Sequence, residues 1–146
     1  MRAAVRPALL SLAAVVLAAA AMPARADAET RGGQGYVLEI VAPPVSKAGA
    51  PGTATVMVRT RAGWKLNTDY PFKLELTPGA GARVAKPVLG KRDARRFEAT
   101  GADLDVVITA DKAGQTDVAG IVKFATCDDA TCAVHKETFT ITAVAR

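Results

Sequence analysis

A period of two runs through six separate stretches of this chain. Tyr36, Leu38 and Ile40 interleave with Val37, Glu39 and Val41, and Ala54, Val56 and Val58 with Thr55, Met57 and Arg59. Phe72, Leu74 and Leu76 take the same pattern, as do Leu104, Val106 and Ile108. Val118, Gly120, Val122 and Phe124 form the fifth run, and Phe139, Ile141 and Ala143 the sixth. A period of two puts one set of side chains on a buried sheet face and the other towards water. No segment after residue 26 holds a helical period for three turns. Turn clusters separate the runs: Pro43-Pro44, Gly49 to Gly52, Pro78 to Gly81 and Asp111 to Gly114. Short strands broken by such turns predict an all-β fold. The expectation is an immunoglobulin-like antiparallel β-sandwich of about seven strands.

Residues 1–26 read differently. Arg2 and Arg6 precede a 15-residue apolar run, Ala8 to Met22, interrupted only by Ser11. Pro23 then leads into Ala24-Arg25-Ala26, a small-residue cleavage signature. This is the pattern of a secretory signal peptide, and the run falls short of the ~20 apolar residues of a membrane span. Its removal leaves 146 − 26 = 120 residues, and 16 basic against 14 acidic side chains, a net charge of +2. So small a charge does not support nucleic acid as a partner. The expected product has no membrane span after cleavage and is periplasmic or secreted. Residues 27–35, polar and glycine-rich, read as a flexible leader, and residues 36–146 as the sandwich domain.

Two cysteines, one histidine and one tryptophan exclude any chemistry that needs several histidines or a cysteine-rich cage. No P-loop, dinucleotide fingerprint or two-histidine zinc helix is present, and no cofactor is expected. Cys127 ends one strand run and Cys132 opens the next. In a hairpin the two would face each other across its mouth, at a separation a disulfide can bridge. Two readings follow. The bond can staple the hairpin of a non-enzymatic binding or structural domain, a contribution of about 2 kcal/mol for so short a loop. Alternatively, the pair can exchange disulfides with other thiols. Asp128 and Asp129 would disfavour the Cys127 thiolate, which suits a reducing or relay pair better than a strong oxidant. Lys123, His135 and Lys136 would offset that charge, and His135 could shuttle a proton. Cys127, Cys132 and His135 also offer three soft ligands for copper or zinc, but no fourth ligand is evident and an oxidised pair cannot bind as thiolates. No metal is expected.

The segment Val122-Lys123-Phe124-Ala125-Thr126-Cys127-Asp128-Asp129-Ala130-Thr131-Cys132 resembles the cysteine hairpin of the N-terminal periplasmic domain in the thiol:disulfide interchange protein DsbD family. Gly63-Trp64-Lys65-Leu66-Asn67 is similar to that family's upstream Gly-aromatic-x-x-Asn stretch, and Pro71 to Leu76 fits in order and spacing. The resemblance spans roughly Gly63 to Arg146. It implies an immunoglobulin-like fold in which Cys127 and Cys132 cycle between dithiol and disulfide. It also implies partners: a thioredoxin-like reductase domain and periplasmic thiol proteins. The chain would then be a component of a protein-disulfide reductase. In the family an aromatic-bearing loop can cover the cysteines; Phe97 reads either as ordinary core, the favoured reading, or as the equivalent of that cap. The chain departs from the family where Ala133-Val134-His135 replaces the usual prolines after the second cysteine. Lys91 to Arg96, with four basic residues in six, reads either as a docking patch or as a solvated loop.

Overall fold

The computed structural model describes residues 28–146; the expected signal peptide lies outside the described residues. Eleven strands form two antiparallel sheets, giving an all-β, immunoglobulin-like sandwich. The strands are β1 (Ala28–Gly33), β2 (Tyr36–Val41), β3 (Pro51–Thr60), β4 (Lys65–Leu66), β5 (Lys73–Pro78) and β6 (Ala82–Val84). They continue with β7 (Val88–Gly90), β8 (Arg96–Glu98), β9 (Gly101–Ala110), β10 (Gly114–Cys127) and β11 (Cys132–Ala145). One sheet runs β1-β2-β3-β9-β6, with β8 also on β9; the other runs β11-β10-β5-β7, with β4 also on β10.

All six alternating runs form strands whose apolar phase points between the sheets. Leu38, Val56, Val58 and Leu104 meet Leu74, Val118, Val122 and Ile141 in one core, each fully or almost fully buried. Burial of this kind stabilises by about 25 cal/mol per Å2 of apolar surface removed from water. Gly120 sits in the middle of β10 because the Phe139 ring of β11 lies directly over it; a Cβ there would stand 2.3 Å from a ring carbon.

The strand count exceeds the expected seven because four very short strands, β4, β6, β7 and β8, carry too few residues to show a period. The flexible leader is a second correction. Ala28–Gly33 forms β1, paired with β2 from Ala28↔Val41 to Gly33↔Tyr36. Its glycines and polar residues sit on an edge strand, where little apolar surface is needed. Its backbone completes the ladder, and the Arg31 guanidinium donates to the Thr138 carbonyl across the sandwich (2.7 Å).

Candidate functional site

Strands β10 and β11 form a hairpin with fourteen consecutive register pairs, from Gly114↔Ala145 to Cys127↔Cys132. The cysteines are the last pair before the loop. They are disulfide-bonded, with Cα atoms 4.0 Å apart, as the hairpin reading expects. The loop is fixed by Asp128, whose Oδ1 accepts from the Ala130 and Thr131 amides at 2.8 and 2.6 Å. The Asp128 amide in turn donates to the Thr131 carbonyl at 2.9 Å. Those amides hold the Asp128 carboxyl below its usual range. Its charge is thus engaged by the turn, and Asp129 alone stands exposed at the tip.

On its other side Cys127 pairs with Lys65 of β4, and Thr126 with Leu66. The Gly63 to Asn67 stretch therefore adjoins the disulfide, and each residue has a local task. Gly63 takes a φ of 81° in the turn. The Trp64 ring lies on Gly35, where a Cβ would come within 2.3 Å of it. Leu66 enters the core. Asn67 Oδ1 accepts from the amides of Asp69 and Tyr70 at 3.0 and 3.1 Å, closing an Asx turn. Cys127 is half-buried and Cys132 exposed.

His135 lies on the opposite face from the sulfurs. Along β11 the disulfide and Val134 point outward, whereas Ala133, His135 and Glu137 point between the sheets. The His135 ring packs on Tyr36 and Phe124, centroids 4.4 and 5.0 Å apart. Its Nε2 lies 2.8 Å from Thr126 Oγ1, and that hydroxyl donates to the Gln34 carbonyl at 3.1 Å. With the hydroxyl proton committed to Gln34, Nε2 carries the hydrogen and donates to Thr126. Burial pushes the His135 pKa down, against a smaller upward pull from Glu137. The Tyr36 hydroxyl donates to Glu137, and burial first, then that carboxylate, raises the tyrosine pKa. Thr126, fully buried, together with Tyr36 and Glu137 is the part of this end the sequence reading missed. The available signal was a threonine in the inward phase, two residues after Phe124.

This arrangement bears on two of the candidate residues. His135 is not placed to move a proton to or from either sulfur, nor to join them as a ligand, because strand alternation turns it away. Phe97 packs against Phe72 edge-on (5.3 Å) at the margin of the core, with the Lys91 ammonium 5.6 Å above its ring. It takes the core alternative. The Lys91 to Arg96 run is largely consumed locally. Lys91 donates to the Thr68 carbonyl, Arg95 pairs with Asp105 at 3.3 Å, and Arg96 reaches Asp103 at 3.1 Å and Glu98 at 2.5 Å. Asp103, 8% exposed, also accepts from Arg59. Burial raises its pKa, but the two guanidiniums outweigh it and hold the carboxyl low.

No protein-family model matches this chain, and no curated protein does. Several solved structures are similar in outline. The GAE domain of GGA2p from Saccharomyces cerevisiae aligns with a TM-score of 0.46 at 10% identity, over 79% of this chain and 97% of that one. WR4, a Caenorhabditis elegans MSP family member, aligns at 0.39 and 8% identity, over 75% and 97%. The ASH/PapD-like domain of human CEP192 aligns at 0.33 and 13% identity, over 94% and 97%. The likeness to the DsbD family rests on the sequence motifs alone.

Proposed function

We propose that this protein is a non-enzymatic binding or structural β-sandwich of an oxidising compartment, periplasmic or secreted, whose disulfide staples the mouth of its longest hairpin. One observation carries the reading: the bond closes the last of fourteen continuous register pairs, where the inward positions of β11, Ala133, His135 and Glu137, are only partly buried. The neighbouring side chains serve structure. Asp128 builds the loop, and Thr126 and His135 satisfy each other on the face away from the sulfurs. Disulfides persist where the compartment is oxidising, and among the described residues no helix is long and apolar enough to cross a membrane.

A second reading is favoured by the exposure of Cys132. In it the pair is a redox relay between a thioredoxin-like reductase domain and periplasmic thiol proteins. An incoming thiolate bonds to the Cys132 sulfur, the Cys127–Cys132 bond breaks, and Cys127 leaves as a thiolate beside Lys65. A second thiolate of the reductase then attacks the partner sulfur of the mixed disulfide, which closes the reductase's own disulfide and releases Cys132 as a thiolate; the reduced pair gives its two electrons to a disulfide-bearing periplasmic protein by the same exchange in reverse. The reduction potential separates the readings, measured by equilibration in redox buffers with thiol trapping. A value below about −300 mV is expected for the staple. One between about −150 and −270 mV would overturn it in favour of the relay.

A further inference from the structure

The long strand β11 is an edge. It pairs with β10 on one side only, and the ladder shows which of its backbone groups are left over. Asp128 and Thr131 are hydrogen-bonded partners at the loop. Antiparallel pairs alternate between bonded and non-bonded types, so the odd-numbered residues of β11 bond to β10. The N–H and C=O of Cys132, Val134, Lys136, Thr138, Thr140, Thr142 and Val144 point to the open side. Two contacts agree with this phase: Arg31 donates to the Thr138 carbonyl at 2.7 Å, and the Ser46 amide to the Val144 carbonyl at 3.2 Å. Those two contacts cover the edge at Thr138 and at its far end. Between the disulfide and Thr138, no hydrogen bond among the described residues reaches Val134 or Lys136 from the open side.

The outer face beside this open stretch has a defined chemistry. Val134 is 63% exposed, the most exposed of the large hydrophobics among the described residues, and continues a row with Ala125. The next row is Lys73, Lys123 and Lys136, directly opposite one another across three strands. Like charges so placed repel. Glu75 compensates the first two, bonding Lys73 and lying 3.8 Å from Lys123. Lys136 has no ion pair among the described residues, and it stands at the open end of the row.

We propose that the Val134–Thr138 edge receives an extended segment of a partner protein as an added strand, with an apolar side chain beside Val134 and an acidic one beside Lys136. Strand addition takes affinity from main-chain hydrogen bonds and specificity from alternate side chains. Here the unmatched lysine sets the acid and the exposed valine the apolar position. The assignment rests on the binding reading above and gives it a surface.

The probe is the peptide acetyl-Thr-Glu-Thr-Val-Thr-Glu-Thr-amide. Its palindromic pattern puts a glutamate beside Lys136 in either strand direction when its valine meets Val134. Titrated to millimolar concentration into 15N-labelled oxidised protein, it is expected to shift the amides of residues 132–138. It should bind about fivefold more tightly than the same peptide with lysine for glutamate, given the size of cross-strand charge pairs. Lys136→Glu should reverse that preference. Val134→Pro should abolish binding while leaving the β10 ladder intact, because the N–H it removes faces outward. If Val134→Pro disturbs the fold, the charge reversal still decides. Three outcomes would overturn the proposal. One is no shift at these amides. Another is equal binding of both peptides, in which case Lys136 only guards the edge against aggregation. The third is a concentration-dependent shift without peptide, which would assign the edge to a second copy of this chain. No thiol is present, so the result is independent of the potential that tests the staple.

Discussion

The two halves of the β10–β11 hairpin are built from the same kind of ladder and held in different ways. In the half near Gly114 and Ala145, the inward positions of β11 are Phe139, Ile141, Ala143 and Ala145, all buried. In the half near the cysteines they are Ala133, His135 and Glu137, and none is fully buried. The interior there is a polar chain from Gln34 through Thr126 to His135, with Tyr36 reaching Glu137. The covalent bond lies at the end where the inward positions of β11 are no longer fully buried. A sandwich of finite length meets water at its ends, and each strand needs something other than the core to keep from fraying there. One half of β11 is held by hydrophobic packing; in the other half, the packing that Tyr36, Leu66 and Phe124 still supply is joined by hydrogen bonds, ring contacts and a disulfide.

The strongest challenge to this contrast is Phe124→Ala, at the junction of the halves. Phe124 is 1% exposed and meets Tyr36 edge-on at 4.8 Å, with His135 beside it. Its loss should cost about 3–5 kcal/mol, as large buried truncations do, read as a fall in the urea midpoint at constant slope. A loss under about 1 kcal/mol would mean that the core ends before Phe124. Next in size is replacement of both cysteines by serine. The chain-entropy value for so short a loop is about 2 kcal/mol, and the ladder that already closes the hairpin makes this an upper figure. Hydrogen exchange should quicken at residues 125–135 and stay unchanged at 114–120 and 139–145. Uniform quickening would show that the bond supports the whole hairpin and not one end.

The smallest expected effect is a pH dependence confined to the polar half. Burial lowers the folded pKa of His135 below its ordinary value of about 6.5. The unfolded chain then binds the proton first, so stability is complete above about pH 7 and declines as pH falls through 6.5 towards the folded value. His135→Phe should flatten the change in urea midpoint between pH 7.5 and 5.5. A wild-type protein that gains stability over that interval would instead place a protonated His135 in a pair with Glu137. The losses from Asp103 and Asp128, whose pKa values are lowered, belong to more acidic solution, below about pH 4.

Much of this architecture was legible in the letters. Period two is a local property of the backbone, so Leu38, Val56, Leu74, Leu104, Val122 and Ile141 could be assigned to the core without knowing which strands are neighbours. The facing of Cys127 and Cys132 was legible for the same reason, since a four-residue loop between two strands leaves little choice of register. Short strands escaped because two or three residues cannot display a period, and β1 escaped because an edge strand needs no apolar phase. A shuttle or ligand role for His135, the lesser of its two readings, came from its closeness to the sulfurs in sequence; alternation across the pleat put it on the other face. The lysine run of Lys73, Lys123 and Lys136 was invisible for a related reason, since it joins residues up to 63 positions apart that only sheet register lines up. Sequence alone determined the fold class, the inward phase of each long strand and the cysteine hairpin, because these follow from a chain's nearest neighbours. Tertiary structure decided which face each polar group served, what Phe97 and Asp128 touch, and which edge stays open, because these depend on partners that the chain brings together only when it folds.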